Sequence, residues 1–305
     1  MAIYKGNKKV VAVYKGSTPI NQIYKGSTLV FQKSGGGGST HLIEGTATGN
    51  FDLYINGNSI PITPDVDGKW FYDTDEKITS LVNAISTSRV TSVDLSNLDL
   101  TGISTQNMFF TASNITSIKF NNTKSMKLIQ MPSMFYGCES LTSIDLSSFD
   151  TSDISSFENL FQGCRSLVSL DLSPLNTSKL IFIDHLFYDC SSLVSLDFSN
   201  LNTSNVASAN GLFRGCSSLV SVDLSNWNMS NLMYASELFS GCSSLVSLDL
   251  SSFVIKKYGT YNDMFKDCTS LSTIKCKQEF KDWCVSNHET IALTNYETIN
   301  WEIVG

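Results

Sequence analysis

Three things are missing from this 305-residue sequence, and each absence removes a class of function. Its 21 Lys and Arg, set against 28 Asp and Glu for a net charge of -7, nowhere gather into a basic arm or stripe. Binding along a phosphate backbone needs clustered cations, so no nucleic-acid partner is expected. No window approaches the roughly 18 consecutive apolar residues that span a bilayer, so membrane insertion is not expected. The opening "MAIYKGNKKV" holds no apolar core of signal-peptide length, so a cleaved export signal is not expected either. C-x-x-C pairs are also absent, which argues against a closed zinc site despite eight cysteines. The three histidines, His41, His185 and His288, are scattered, and no H-E-x-x-H, G-x-S-x-G, Walker A or G-x-G-x-x-G stands in a suitable context. Neither an enzyme nor a bound cofactor is expected.

What the sequence does contain is periodic. Cys138, Cys164, Cys190, Cys216, Cys242 and Cys268 fall at an unbroken spacing of 26. Aligned on them, the unit reads "LFQGCRSLVSLDLSPLNTS", "LFYDCSSLVSLDFSNLNTS" and "LFRGCSSLVSVDLSNWNMS", with weaker copies from Val90 and Ile115. Leu167, Leu170 and Leu172 make an L-x-x-L-x-L pattern whose final alternation is that of a short strand with one buried face. Between strands, Phe157, Leu160 and Phe161 stand at helical spacing and suggest a helix or 3₁₀ turn, ended by a glycine such as Gly163. One unit cannot bury its apolar side alone, but stacked units share a continuous core. The expected fold is therefore α/β: a leucine-rich repeat solenoid with a parallel sheet and about eight 25–26-residue repeats over 90–277, preceded by a small N-terminal β-meander.

A solenoid needs its ends covered. Residues 41–89 are expected to cap the start, with a hairpin around Asn56-Gly57 and a short amphipathic helix in "DEKITSLVNAI"; 278–305 are expected to cap the finish. Residues 34–40 contain "SGGGGS", a flexible linker by composition. Residues 1–33 are a second repeat, three decads with Tyr4, Tyr14 and Tyr24, preceded by Ile3, Val13 and Ile23 and each followed by Lys-Gly. About four strands are expected there. So small a meander cannot bury enough apolar surface to stand alone, so these residues are expected to pair with sister chains or with the sheet edge of a larger partner.

Two surfaces of the long repeat attract attention. The ladder Asp145, Asp171, Asp197, Asp223 and Asp249 occupies the exposed side of successive strands, bracketed by Lys119 and Lys275. Serines on both sides, such as Ser169 and Ser173, are placed to give the carboxylates hydroxyl hydrogen bonds. This concave face is either a solvated sheet surface or a binding face for cations, basic loops or glycans; glycoside hydrolysis needs two carboxyls in unlike environments, which repetition denies. The second surface is a variable one, at Tyr136, Gln162, Tyr188, Arg214, Ser240 and Lys266, each expected to be exposed.

The long repeat resembles the BspA-like leucine-rich repeat family, through [ML]-F-x-[GD]-C-x-S-L-x-S-[LIV]-D-[LF]-S as it stands from Met134 to Ser147 and onward. That resemblance implies a surface or secreted adhesin. The Tyr-Lys-Gly-Ser-Thr decads resemble short N-terminal repeats of structural proteins from tailed phages of gut Bacteroidetes, which implies a virion protein made in the host cytoplasm. Together they lead to a phage head fibre, capsid decoration or tail fibre protein. It would be anchored to other virion proteins or sister chains through residues 1–33, as a homo-oligomer with a trimer favoured. Its solenoid would hold a host surface protein or glycan. A bacterial surface adhesin is the alternative, and a polysaccharide-acting enzyme a third reading.

Overall fold

The computed structural model describes residues 2–5, 8–15, 18–21, 23–25, 28–30, 41–74, 77–96, 98–120, 126–198, 201–224 and 227–304. Ahead of Ile43 only backbone is described, and the linker expected at 34–40 lies outside the described residues. The decads form five strands where about four were expected. β1 (Ala2–Lys5), β2 (Lys8–Lys15) and β3 (Thr18–Asn21) make one antiparallel sheet, and β4 (Ile23–Lys25) pairs with β5 (Thr28–Val30). Lys5 pairs with Lys8, Lys15 with Thr18 and Lys25 with Thr28.

From His41 onward the chain is a β-solenoid. It opens with β6 (His41–Ala47), the hairpin of β7 (Phe51–Ile55) and β8 (Asn58–Ile62), and β9 (Lys69–Thr74). Asn56 and Gly57 turn the hairpin at φ 52° and 78°, values that Asn and Gly tolerate best. Next come β10 (Val90–Asp94) and β11 (Ser117–Lys119), the first parallel pair; β6 lies antiparallel to both β10 and β9, giving the sheet order β11–β10–β6–β9. Later parallel pairs are β12 (Met126–Lys127) with β13 (Phe149–Asp150), β14 (Ser195–Asp197) with β15 (Ser221–Asp223), and β16 (Ser247–Asp249) with β17 (Thr273–Lys277). The helix α1 (Gln278–Ser286) and β18 (Asn300–Val304), parallel to β17, close the far end.

The α/β expectation is corrected here. α1 is the one α-helix among the described residues, and the segment expected to hold a helix or 3₁₀ turn between strands is a chain of single three-residue-closing turns bonded across repeats. The N–H groups of Phe157, Asn159, Phe161 and Gly163 donate to the carbonyls of Phe182, Asp184, Leu186 and Tyr188 one turn ahead, at 2.9, 3.0, 3.0 and 2.7 Å. The alternate N–H groups of Leu160, Gln162 and Cys164 close on the carbonyls three residues back, at 3.1, 3.2 and 3.1 Å. A helix needs every N–H to reach four residues back, and left-handed φ at Asn159 (56°) and Gly163 (74°) breaks that pattern twice. The cap helix expected in "DEKITSLVNAI" fails for the same reason. Asn83 has φ 55°, and the N–H groups of Leu81, Asn83 and Ile85 donate to Ser104, Gln106 and Met108, so this stretch is the first solenoid turn. Parallel bridges run through Ser80, Ser104 and Gln130 and again from Ser156 to Thr260, marking a solenoid of about eight turns.

The core explains the period. Phe109, Phe135, Phe161, Phe187, Phe213, Phe239 and Phe265 are wholly or almost wholly buried and stack in one column, with successive centroids 5.3–6.1 Å apart and rings within 10° of parallel. Each such side chain is worth about 1.5–3 kcal/mol on burial, and the ring contacts add to this. Beside the column run the six cysteines, all buried and all free. A buried threonine row ties adjacent turns together: Thr151 donates to the Asn176 carbonyl at 2.9 Å, and Thr177 and Thr203 accept the N–H groups of Asn202 and Asn228 at 2.7 and 2.9 Å. No helix of the described residues is long and apolar enough to cross a membrane.

Candidate binding face

The ladder aspartates lie where the strand side of each turn meets its first corner. Asp197, Asp223 and Asp249 end β14, β15 and β16, and Asp145 and Asp171 hold the same place in turns whose strand pairing is looser. Asp145, Asp171 and Asp249 carry a structural duty that the residue pattern alone did not disclose. The backbone N–H of Ser147 donates to Asp145 Oδ1 at 2.9 Å, that of Ser173 to Asp171 at 2.9 Å and that of Ser251 to Asp249 at 3.0 Å. This side-chain turn ends the strand and bends the chain, which is why Asp recurs there. The expected hydroxyl partners are present as well, Ser173 donating to Asp171 and Ser251 to Asp249 through their side chains, and the backbone N–H adds a second donor. Ser199 and Ser225 lie outside the described residues. For Asp171 the Ser173 hydrogen bonds hold the carboxyl below its ordinary range, against the opposing charges of Asp197 and Asp145.

Register extends this charged row at both ends. Glu44 of β6 pairs with Asp94 of β10, Asp94 with Lys119, Asp249 with Lys275, and Lys275 with Glu302 of β18. Lys119 Nζ lies 3.6 Å from Asp94, and Lys275 Nζ lies 2.7 Å from Asp249. The lysines seen in the sequence therefore neutralise the ends of the row, with Asp145, Asp171, Asp197 and Asp223 between them. Glu44 and Glu302 escaped the sequence reading because they sit in end strands that lack the repeat motif, whereas Asp94 holds the ladder position of the weaker copy from Val90. Around the first of these ends lies a depression of ≈ 420 Å³, lined by Glu44, Thr46, Lys69, Asp94, Ser117 and Lys119 among others. Its two carboxyls differ. Burial and the nearby Asp94 push Glu44 up, with Lys119 opposing. Burial, the largest influence on Asp94, pushes it up too, but hydrogen bonds from Ser96 and the Lys119 ammonium outweigh it and hold it low.

Alongside the aspartates runs an apolar stripe. Val168, Val194, Val220 and Val246 are exposed on successive turns and joined by backbone hydrogen bonds of 3.1–3.3 Å. No group of three or more His, Cys, Asp or Glu able to hold a metal ion occurs among the described residues. The anchoring candidates lie in the decad strands, Ile3 opposite Val10, Val13 opposite Ile20, Ile23 opposite Val30, Tyr4 opposite Lys9, Tyr14 opposite Pro19 and Tyr24 opposite Leu29. Their side chains lie outside the described residues.

Turns of 26 residues, stacked on a phenylalanine column and a cysteine row, define the repeat; residues 76–195, 103–221 and 181–299 each match the family described as "Mycoplasma protein of unknown function, DUF285". The chain belongs to that family. No curated protein matches it. Within this DUF285 chain the variable positions cluster on the compact-turn side. Tyr136 stacks on Phe110 with centroids 4.5 Å apart, and the Arg214 guanidinium sits 5.1 Å over the Tyr188 ring while pairing with Glu237 at 2.5 Å. His185 has φ 54°, and a Cβ at Gly211 would stand 2.7 Å from its ring, so the glycine makes room for it. Of the six positions expected to be exposed, Lys266 is exposed, Tyr136, Gln162, Tyr188 and Arg214 are half-buried, and Ser240 is buried.

Proposed function

We propose that this chain is a structural component of a phage particle, a head fibre, capsid decoration or tail fibre protein, whose solenoid serves adhesion to the host surface or its glycans. The observation that carries the reading is the separation of sheets. The decads make their own antiparallel sheets, β1–β2–β3 and β4–β5, and share no ladder with the solenoid among the described residues. A sheet of so few strands is marginal alone and gains stability by adding strands from sister chains or from a larger virion protein. The Tyr-Lys-Gly-Ser-Thr decads, which resemble N-terminal repeats of tailed-phage structural proteins, support the same reading. The ladder aspartates, in turn, repeat one environment from turn to turn instead of pairing unlike carboxyls, which favours adhesion over an enzyme along that row.

Deleting residues 1–33 tests the anchor. The truncated chain should fold, since its core begins at Ile43, and should be missing from purified particles while the full chain is present. Full incorporation of the truncated chain would refute the anchoring role. The BspA-like pattern of the repeats supports a second reading, a bacterial surface adhesin. Fractionation of infected and uninfected cells separates the two, because only the first places the chain in particles.

A further inference from the structure

A register of inter-turn bridges separate from the strands that carry the aspartate ladder holds a pair of aromatic rings that nothing above has used. Phe182, Ser208 and Tyr234 follow one another on successive turns through parallel bridges. Phe182 is 42% exposed and Tyr234 43%, whereas Ser208 between them is 4% exposed. Every phenylalanine of the column has ring partners, but neither of these two rings has one among the described residues. With turns spaced by about 4.8 Å, the two rings arise roughly 9.6 Å apart across the sunken serine. A flat aromatic ligand touching both would need only about 7–8 Å, twice the 3.5–4.0 Å contact distance. The extra width suits a puckered ring.

The floor of this slot is polar. Asp184 Oδ1 accepts the Ser208 hydroxyl at 2.6 Å, the Asn210 N–H at 3.0 Å and Asn210 Nδ2 at 2.7 Å. Asp184 is 8% exposed, and its second oxygen, Oδ2, is not among the buried polar atoms left without a partner, so solvent reaches it. An acceptor that water reaches can be taken over by a ligand hydroxyl. We propose that Phe182 and Tyr234 clasp a neutral sugar ring of a glycan, its C–H faces against the two aromatic rings and its hydroxyls donating to Asp184 Oδ2. The carboxylate disfavours acidic sugars. This rests on the adhesion reading and deepens it by placing the ligand at a register separate from the aspartate ladder.

The experiment uses the purified full-length protein and hexasaccharides of glucose, mannose, galactose and N-acetylglucosamine, titrated calorimetrically. At least one should bind saturably. Phe182→Ala and Tyr234→Ala should each weaken that binding by about 10-fold, the order expected for one lost ring contact, while Val194→Ser on the strand face leaves it unchanged. Unchanged melting of the two aromatic variants, whose rings are surface groups, keeps the comparison valid; Phe182→Leu and Tyr234→Leu, which retain bulk but not the ring face, replace them if they melt early. Binding of none of the four sugars, binding indifferent to both rings, or preferential binding of tetramethylammonium would overturn the proposal. None of these outcomes depends on particle incorporation, so failure of the slot and failure of the anchor are separately visible.

Discussion

The thiol of Cys164 donates to the carbonyl of Phe135, which belongs to the preceding turn, at 3.2 Å. The same carbonyl already accepts the N–H of Cys138 at 3.2 Å, so one oxygen joins two turns. The contact recurs at every cysteine from Cys138 to Cys268, at 3.0–3.4 Å. Cysteine is thus kept in the repeat as a small apolar filler that also spends its weak donor on an acceptor pointing into the core.

Thiol chemistry should follow from this. Burial raises Cys164, Cys190, Cys216 and Cys242 well above the ordinary thiol range, Cys268 to about 12 and Cys276 to about 11. The thiolate is the reactive form, so below these values the native protein should resist alkylation. Mass spectrometry after iodoacetamide treatment at mildly alkaline pH should find the cysteines unmodified in the folded protein and all eight modified in denaturant. The linkage has a sign: raised thiol values favour the folded state below the unfolded thiol range and lose that contribution as pH climbs through it, so stability should fall at high pH.

Substitution in the cysteine row should be costly in proportion to the space left. Cys164→Ala should destabilise by about 1–2 kcal/mol, because a cavity forms beside the phenylalanine column while the Phe135 carbonyl keeps its Cys138 donor. Cys164→Ser should cost no more than this, since the hydroxyl inherits a ready acceptor. Urea midpoints compare the two; a much larger loss for Ser would mean that the carbonyl is out of reach of a shorter side chain.

The ladder aspartates should separate turn-making from charge. Asp171→Asn keeps an oxygen for the Ser173 N–H but gives up a charge that the lowered carboxyl shows to be favoured in the fold despite Asp145 and Asp197, so its melting temperature at neutral pH should fall only slightly. Asp171→Ala loses the turn acceptor and should melt lower. Equal melting of the two variants would show that the turn hydrogen bond contributes nothing.

How far the sequence carries depends on whether a residue's role is set by its own repeat or by the next one. The period, the buried leucines and the exposed aspartates were legible because burial alternates within a strand. The compact turns were not. Phe157, Leu160 and Phe161 have helical spacing, and only the inter-turn hydrogen bonds and left-handed φ at Asn159 show that the chain coils without a helix. The polar slot at Ser208 was equally hidden, since Phe182 and Tyr234 are one-off substitutions in positions held by Ser156, Ser208 and Thr260 elsewhere. A signal existed in that exception: a large ring at a register otherwise held by serine, threonine or glutamine. The row from Glu44 to Glu302 needed the cap strands placed beside the repeats, which no periodicity reveals.

Acid should loosen one corner of the solenoid before the core. Asp153 bridges Lys127 at 2.6 Å and Lys179 at 2.5 Å, and those two hydrogen-bonded ammonium groups bring its carboxyl down to about 2. A lowered carboxyl favours the folded state above the unfolded carboxyl range and loses that contribution as pH falls toward the folded value. Between about pH 4 and 2 the bridge should open, first in high salt because all three groups are exposed. Asp153→Asn should remove this step from an acid titration followed by amide hydrogen exchange at residues 152–154, while leaving stability near neutrality little changed, as befits a surface pair.

The tightest constraint on the amino-terminal cap is Gly45. A Cβ there would stand 1.9 Å from the Ser92 carbonyl oxygen and 3.0 Å from the Trp70 ring, and neither neighbour is the free end of a flexible chain. Ser92 lies at an irregularity in the β6–β10 register, between the pairs Val90–Ala47 and Ser92–Thr46, so the strands are held closer here than a side chain permits. Gly45→Ala must push β6 away from β10, exposing the first core layer at Ile43 and Val93. The expected loss is about 2–4 kcal/mol, in the range of overpacked core sites, and it should appear as earlier exchange of amides in β6 and β10 with β16 and β17 protected. Gly57→Ala is the matched control: no atom lies within 4 Å of its missing Cβ, so only the cost of its φ of 78° remains. If Gly45→Ala melts no lower than Gly57→Ala, the close approach of β6 to β10 is not what requires glycine.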